Sequence, residues 1–133
     1  MKNALDVTSR LIDEIPEGSR KFVQGIINGH SFFALSPIGF SDGHYTHSNI
    51  LSRVLADNGI SPEYMRGEVS NSVPKAEGEN YKVVGMGVLS RRGEFLNLWD
   101  DESADYRMGP NKEHFELLRD ELNKRSITKI IFK

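Results

Sequence analysis

Apolar positions along the chain follow two rhythms, one near three and a half residues and one near two. Leu5, Thr8, Leu11, Ile12 and Ile15 recur at helical spacing, which predicts a short amphipathic helix within residues 1–17, ended by Pro16-Glu17-Gly18. Phe22, Val23, Ile26 and Ile27 then run into Asn28-Gly29, and Phe32-Phe33-Ala34-Leu35 follows. Both central residues of a tight hairpin turn must tolerate positive φ, so Asn-Gly between two β-rich runs predicts a pair of antiparallel strands. Residues 37–43 read as a loop. The helical rhythm returns over 46–58 with Ile50, Leu51, Val54 and Leu55 as the apolar stripe. Thr46 or Ser48 caps its start and Asn58-Gly59 its end.

Residues 60–80 carry Pro62, Gly67, Pro74 and Gly78 and predict a long loop, a length that in a small domain goes with function or mobility. Tyr81 to Leu89 reads as a strand, Arg91-Arg92-Gly93 as a turn and Phe95 to Trp99 as its partner. After a loop over 100–110, Asn111 caps a helix bearing Phe115, Leu118 and Leu122, and residues 127–132 form a last strand. The expected fold is a single α/β domain spanning residues 1–133, a mixed β-sheet flanked by helices in the order α-ββαββα-β.

Composition narrows the class of activity. With 38% hydrophobic and 27% charged residues in 133, the chain reads as one soluble globular domain. A net charge of -2 argues against nucleic acid as partner. Zero cysteine removes thiolate nucleophiles and Cys-ligated zinc. No apolar run approaches the ~18 residues of a membrane span, and no signal-type stretch opens the chain, so a cytoplasmic setting without membrane is expected.

The most pointed chemical feature is His47 at the start of a helix. Unpaired backbone N–H groups there attract anions, and the helix field disfavours imidazolium, leaving a neutral ring able to accept a proton. A half-buried packing histidine is the plainer reading of the same residue. Lys21, at the start of the first strand, suits a phosphate clamp or a solvated edge charge. Gly85-Met86-Gly87 sits inside a strand, where glycine marks a bulge or the close approach of another group, and no helix follows to make a dinucleotide fingerprint. The segment Trp99-Asp100-Asp101-Glu102-Ser103-Ala104-Asp105-Tyr106 presents loop amides to an anion, carboxylates to a cation, or simply a solvated acidic loop. Asp42, His44 and His47 offer a rival metal set with no identifiable fourth ligand.

In their order along the chain these motifs resemble the Janus/ocnus family, the small phosphohistidine phosphatases. Arg20-Lys21-Phe22-Val23 is similar to the family's lysine-bearing first strand, and Tyr45-Thr46-His47-Ser48-Asn49-Ile50 to the segment holding its catalytic histidine. Gly85-Met86-Gly87-Val88-Leu89 looks like its glycine-rich strand, and Ser103-Ala104-Asp105-Tyr106 with Gly109-Pro110 like its phosphate loop. The sequence departs from that pattern at Val88, where the family often has arginine, in the extra Arg107-Met108, and in the long segment before Tyr81. The resemblance implies a metal-independent phosphatase-like hydrolase without cofactor. His47 acts as base or nucleophile and Lys21 as the phosphate clamp, while Ser103, Ala104, Asp105 and Gly87 bind substrate. Residues 60–80 would be a substrate-contacting flap. The implied partner is a phosphorylated protein or a small phosphorylated substrate, phosphohistidine first. A non-catalytic module of the same fold, binding an anionic or protein partner, is the alternative.

Overall fold

Asn28 and Gly29 take φ values of 50° and 81°, the left-handed pair that a two-residue hairpin turn demands. Strand β1 (Gly18–Ile27) therefore doubles back as β2 (His30–Leu35), in register from Phe22 opposite Leu35 to Ile27 opposite His30. This computed structural model describes residues 18–36, 46–68, 70–99, 106–117, 119–124 and 126–132. The expected N-terminal helix and loop 37–43 fall outside them.

Helix α1 (His47–Asp57) begins at the Thr46 cap and ends at Asn58, and it buries His47, Ile50, Leu51, Val54 and Leu55. The expected long loop over 60–80 carries short ladders. Strands β3 (Tyr64–Met65) and β4 (Val73–Pro74) pair with each other, and β5 (Glu77–Gly78) pairs with the start of β6 (Tyr81–Arg92). Two tyrosines tie this connection down: the Tyr81 hydroxyl donates to the Lys75 carbonyl and the Tyr106 hydroxyl to the Pro74 carbonyl, both at 2.6 Å. Strand β6 continues through Arg92, so the turn falls on Gly93 and Glu94 instead of the expected 91–93, and β7 (Phe95–Trp99) follows. Helices α2 (Lys112–Leu117) and α3 (Arg119–Lys124) precede β8 (Lys129–Phe132).

Among the described residues the main sheet has six strands, in the path β2-β1-β6-β7-β8 with β5 beside β6. Every ladder in it is antiparallel except β7–β8. The result is a single small domain with a mixed sheet and a few helices, α+β-like where an α/β pattern was expected. The physical reason is that the crossover through α1 carries the chain past β1 and sets β6 antiparallel beside it. Hairpin turns make the other antiparallel neighbours, so only the crossover through α2 and α3 leaves adjacent strands, β7 and β8, parallel.

The sheet separates two apolar clusters. On one face Phe22, Phe33, Leu89, Leu96 and Leu98 pack under Phe115, Leu122 and Ile127. The rings of Phe22, Phe33 and Phe115 meet tilted or edge-on at 5.2 to 5.5 Å. On the other face Val23, Ile27, Phe32, Ala34 and Met86 pack under α1. Each wholly buried aromatic contributes about 1.5 to 3 kcal/mol by transfer from water, enough to hold a helix on each face. No helix among the described residues is long and apolar enough to cross a membrane.

Candidate functional site

Alternation along β1 sends Phe22 and Gln24 into the core beneath α2, and Lys21 and Val23 toward the α1 face. Lys21 is held at the strand edge by its backbone. Its amide donates to Ser36 Oγ at 3.2 Å, and the Ser36 amide donates to its carbonyl at 3.0 Å. Opposite it in the ladder stands Val88, with Gly87 opposite Phe22.

The Thr46 hydroxyl accepts from the Asn49 amide at 3.2 Å and shares a 2.7 Å hydrogen bond with Ser48. That cap fixes His47 as the first helical residue, 8% exposed, on the buried stripe. Its Nε2 lies 2.9 Å from the Gly87 carbonyl. A carbonyl only accepts, so Nε2 carries the proton and, in the neutral ring, the lone pair resides on Nδ1. Burial pushes the imidazole below the ordinary histidine value, the Gly87 carbonyl opposes that shift, and the Lys21 ammonium adds to the lowering. A neutral ring was expected from the helix field, whereas the lowering comes from burial first and the Lys21 ammonium second.

Gly87 is needed for close approach. A Cβ there would come within 2.9 to 3.0 Å of the Phe22 ring and 3.0 Å of Pro110 Cγ. The bulge suspected at this strand is also present, since the register shifts between Gln24 and Gly25, opposite Gly85 and Val83. His47 and Lys21 thus share the α1 face, and from Gly87, whose Cα side faces Phe22 and Pro110, only the backbone carbonyl reaches His47. Ser103, Ala104 and Asp105 lie outside the described residues. Trp99 pairs with Val88, and the Gly109 carbonyl accepts from the Met86 amide at 3.1 Å, on either side of Gly87. Asp42 and His44 of the rival metal set also lie outside; among the described residues no three acidic or imidazole groups gather as metal ligands. A hollow of about 610 Å³ at the far end of α1, beside residues 60–64, holds no titratable group except Tyr64.

Sequence reasoning passed over a second polar cluster on the opposite face. Gln24, wholly buried, donates from Nε2 to the Asn111 carbonyl at 3.1 Å and accepts at Oε1 from the Asn111 amide at 2.8 Å. With Oε1 so engaged, Nε2 also donates to His114 Nδ1 at 3.3 Å. Asn111 Oδ1 caps α2 by accepting from the His114 amide at 3.0 Å, and its Nδ2 donates to the Val84 carbonyl at 3.2 Å. Burial lowers the His114 pKa, with the Gly25 carbonyl pulling the other way, although its buried Nε2 makes no hydrogen bond of normal geometry. The available signal was a glutamine at an inward position of an apolar strand, a place where a polar side chain needs a partner.

No protein-family model matches the chain, and no curated protein matches it in sequence.

Proposed function

We propose that this protein is a metal-independent phosphatase-like hydrolase acting on phosphohistidine or another phosphorylated side chain. One observation carries the reading: a neutral imidazole, its Nε2–H committed to the Gly87 carbonyl, shares a sheet face with the Lys21 ammonium. His47 Nδ1 takes a proton from water as the water oxygen attacks phosphorus, or attacks phosphorus itself. In the first route the P–N or P–O bond to the substrate breaks and the leaving atom takes the proton held on His47. In the second that bond breaks as a phosphoryl–His47 bond forms, the leaving atom takes a proton from water, and a water then cleaves the new P–N bond to release phosphate. Lys21 neutralises the charge on the phosphoryl oxygens, with the resemblance assigning substrate binding to Ser103, Ala104 and Asp105 as well. The substrate is a phosphorylated protein or small phosphorylated molecule of the cytoplasm.

The test is phosphate release from a phosphohistidine peptide. His47→Gln keeps a donor for the Gly87 carbonyl but supplies neither base nor nucleophile, and the expected loss is about 10²-fold or more. Lys21→Met is expected to lower turnover at unchanged stability. Wild-type rates in His47→Gln would remove the mechanism.

The 8% exposure of His47 favours a second reading, in which the ring pins α1 to β6 and the fold only binds an anionic partner. Binding of inorganic phosphate that depends on Lys21, with no product formed, selects that reading.

A further inference from the structure

Helix α1 covers only half of its side of the sheet. Its apolar cluster reaches β6 at Met86 and stops there. Past that point the register places Lys21, Val88 and Trp99 in one row across the strands. The next row contains Ser90, Asn97 and Ile131, and the last contains Arg92, Phe95 and Lys129. Cross-strand partners share a face, so these rows form one continuous surface. The helical pair α2–α3 packs against the other side of the same strands.

This half, which no described helix covers, is neither a polar solvent face nor a core face, and Ser90 in its middle row is buried. Phe95 and Ile131 are 41% and 38% exposed, and Trp99 and Val88 are half-buried beside them. The strand residues of this face carry three cations, Lys21, Arg92 and Lys129, and no carboxylate. None of the three forms an ion pair with a described residue. At a strand spacing of about 4.8 Å, Arg92 and Lys129 stand roughly 10 Å apart with Phe95 between them. An unpaired positive row around exposed aromatic and aliphatic carbon is complementary to a chain that presents carboxylates and apolar groups together.

We propose that this sheet face docks an extended segment of a partner protein in which acidic and apolar side chains alternate. A nucleic acid fits less well. Its continuous phosphate backbone would meet a chain of net charge -2, in which Trp99 runs directly into Asp100-Asp101-Glu102. The docking face shares Lys21 with the hydrolytic reading but needs no chemistry at His47, and its test rests on Arg92 and Lys129 at the far row.

Trp99 is the chain's one tryptophan, so its emission reports occupancy of the face directly. The experiment titrates the full chain with a synthetic peptide alternating Glu and Leu, beside a Lys/Leu peptide and oligothymidylate. The expected result is a saturable change with the Glu/Leu peptide alone, weakened by salt. Arg92→Glu and Lys129→Glu are each expected to lower affinity about tenfold, and Arg92→Gln to fall between. Arg53→Glu, on the exposed side of α1, is expected to bind as the parent does. No saturable change, equal affinity in the charge-reversed variants, or preferential binding of oligothymidylate overturns the proposal, the last by assigning the face to nucleic acid.

Discussion

Gly85→Ala is the sharpest test of how the sheet is joined to α2. Gly85 lies at the bulge in β6, opposite Gln24. A Cβ added there would stand 2.8 Å from the Asn111 amide nitrogen, 3.0 Å from Asn111 Cβ, and closer still to Gln24 Oε1. Those atoms are the two ends of the 2.8 Å bond that joins β1 to the start of α2. Backbone and a wholly buried glutamine leave little room to yield, so the methyl must displace one of them. Overpacking of this kind costs about 1 to 3 kcal/mol, and each hydrogen bond lost adds about 1 kcal/mol. A total near 3 kcal/mol corresponds to a melting temperature lower by roughly 10 °C for a domain of this size. The measurement is denaturant unfolding of Gly85→Ala, Gln24→Ala and the double variant. Because the two sites clash directly, the double variant should be more stable than the sum of the singles by about 1 kcal/mol or more. A Gly85→Ala protein within about 0.5 kcal/mol of the parent, or strict additivity, would refute the packing argument.

Two further outcomes follow from the same structure. Both buried histidines, His47 and His114, are held below the ordinary value near 6.5. Below that pH the unfolded chain binds protons that the folded chain refuses. Their contribution to stability is therefore fully present above about 6.5 and declines as pH falls toward the folded values, by at most about 1.4 kcal/mol per unit for each ring. Denaturation midpoints taken from pH about 7.5 down to about 5.5 should fall, with a shallower fall in His114→Gln; a level midpoint would contradict neutral native rings. Thr46→Ala removes the hydroxyl that caps α1 and should cost about 1 kcal/mol in the same assay, whereas Thr46→Ser should cost little.

Some of this was legible along the chain because local physics sufficed. The positive φ values at Asn28 and Gly29 are those their side chains permit, and the Thr46 cap and the stripe from Ile50 to Leu55 follow from helical spacing alone. Residues 60–80 misled, because strands of two residues have too few positions to show a period. The Gln24–Asn111–His114 cluster was invisible for a different reason: its members lie up to 90 positions apart and gain meaning only as neighbours.

Sequence alone therefore determined the hairpin, the capped helix and the residue types able to do chemistry, since each depends on contacts within a few positions. Tertiary structure decided that β6 inserts beside β1, and everything else at the site follows from that step. Pairing Lys21 with Val88 and Phe22 with Gly87 carries the Gly87 carbonyl under His47 and sets an ammonium beside it. It also leaves Trp99, Phe95 and Ile131 on a face that α1 is too short to cover. Strand pairing over such separations is chosen by the burial of whole faces, a sum over many distant residues that no local window contains.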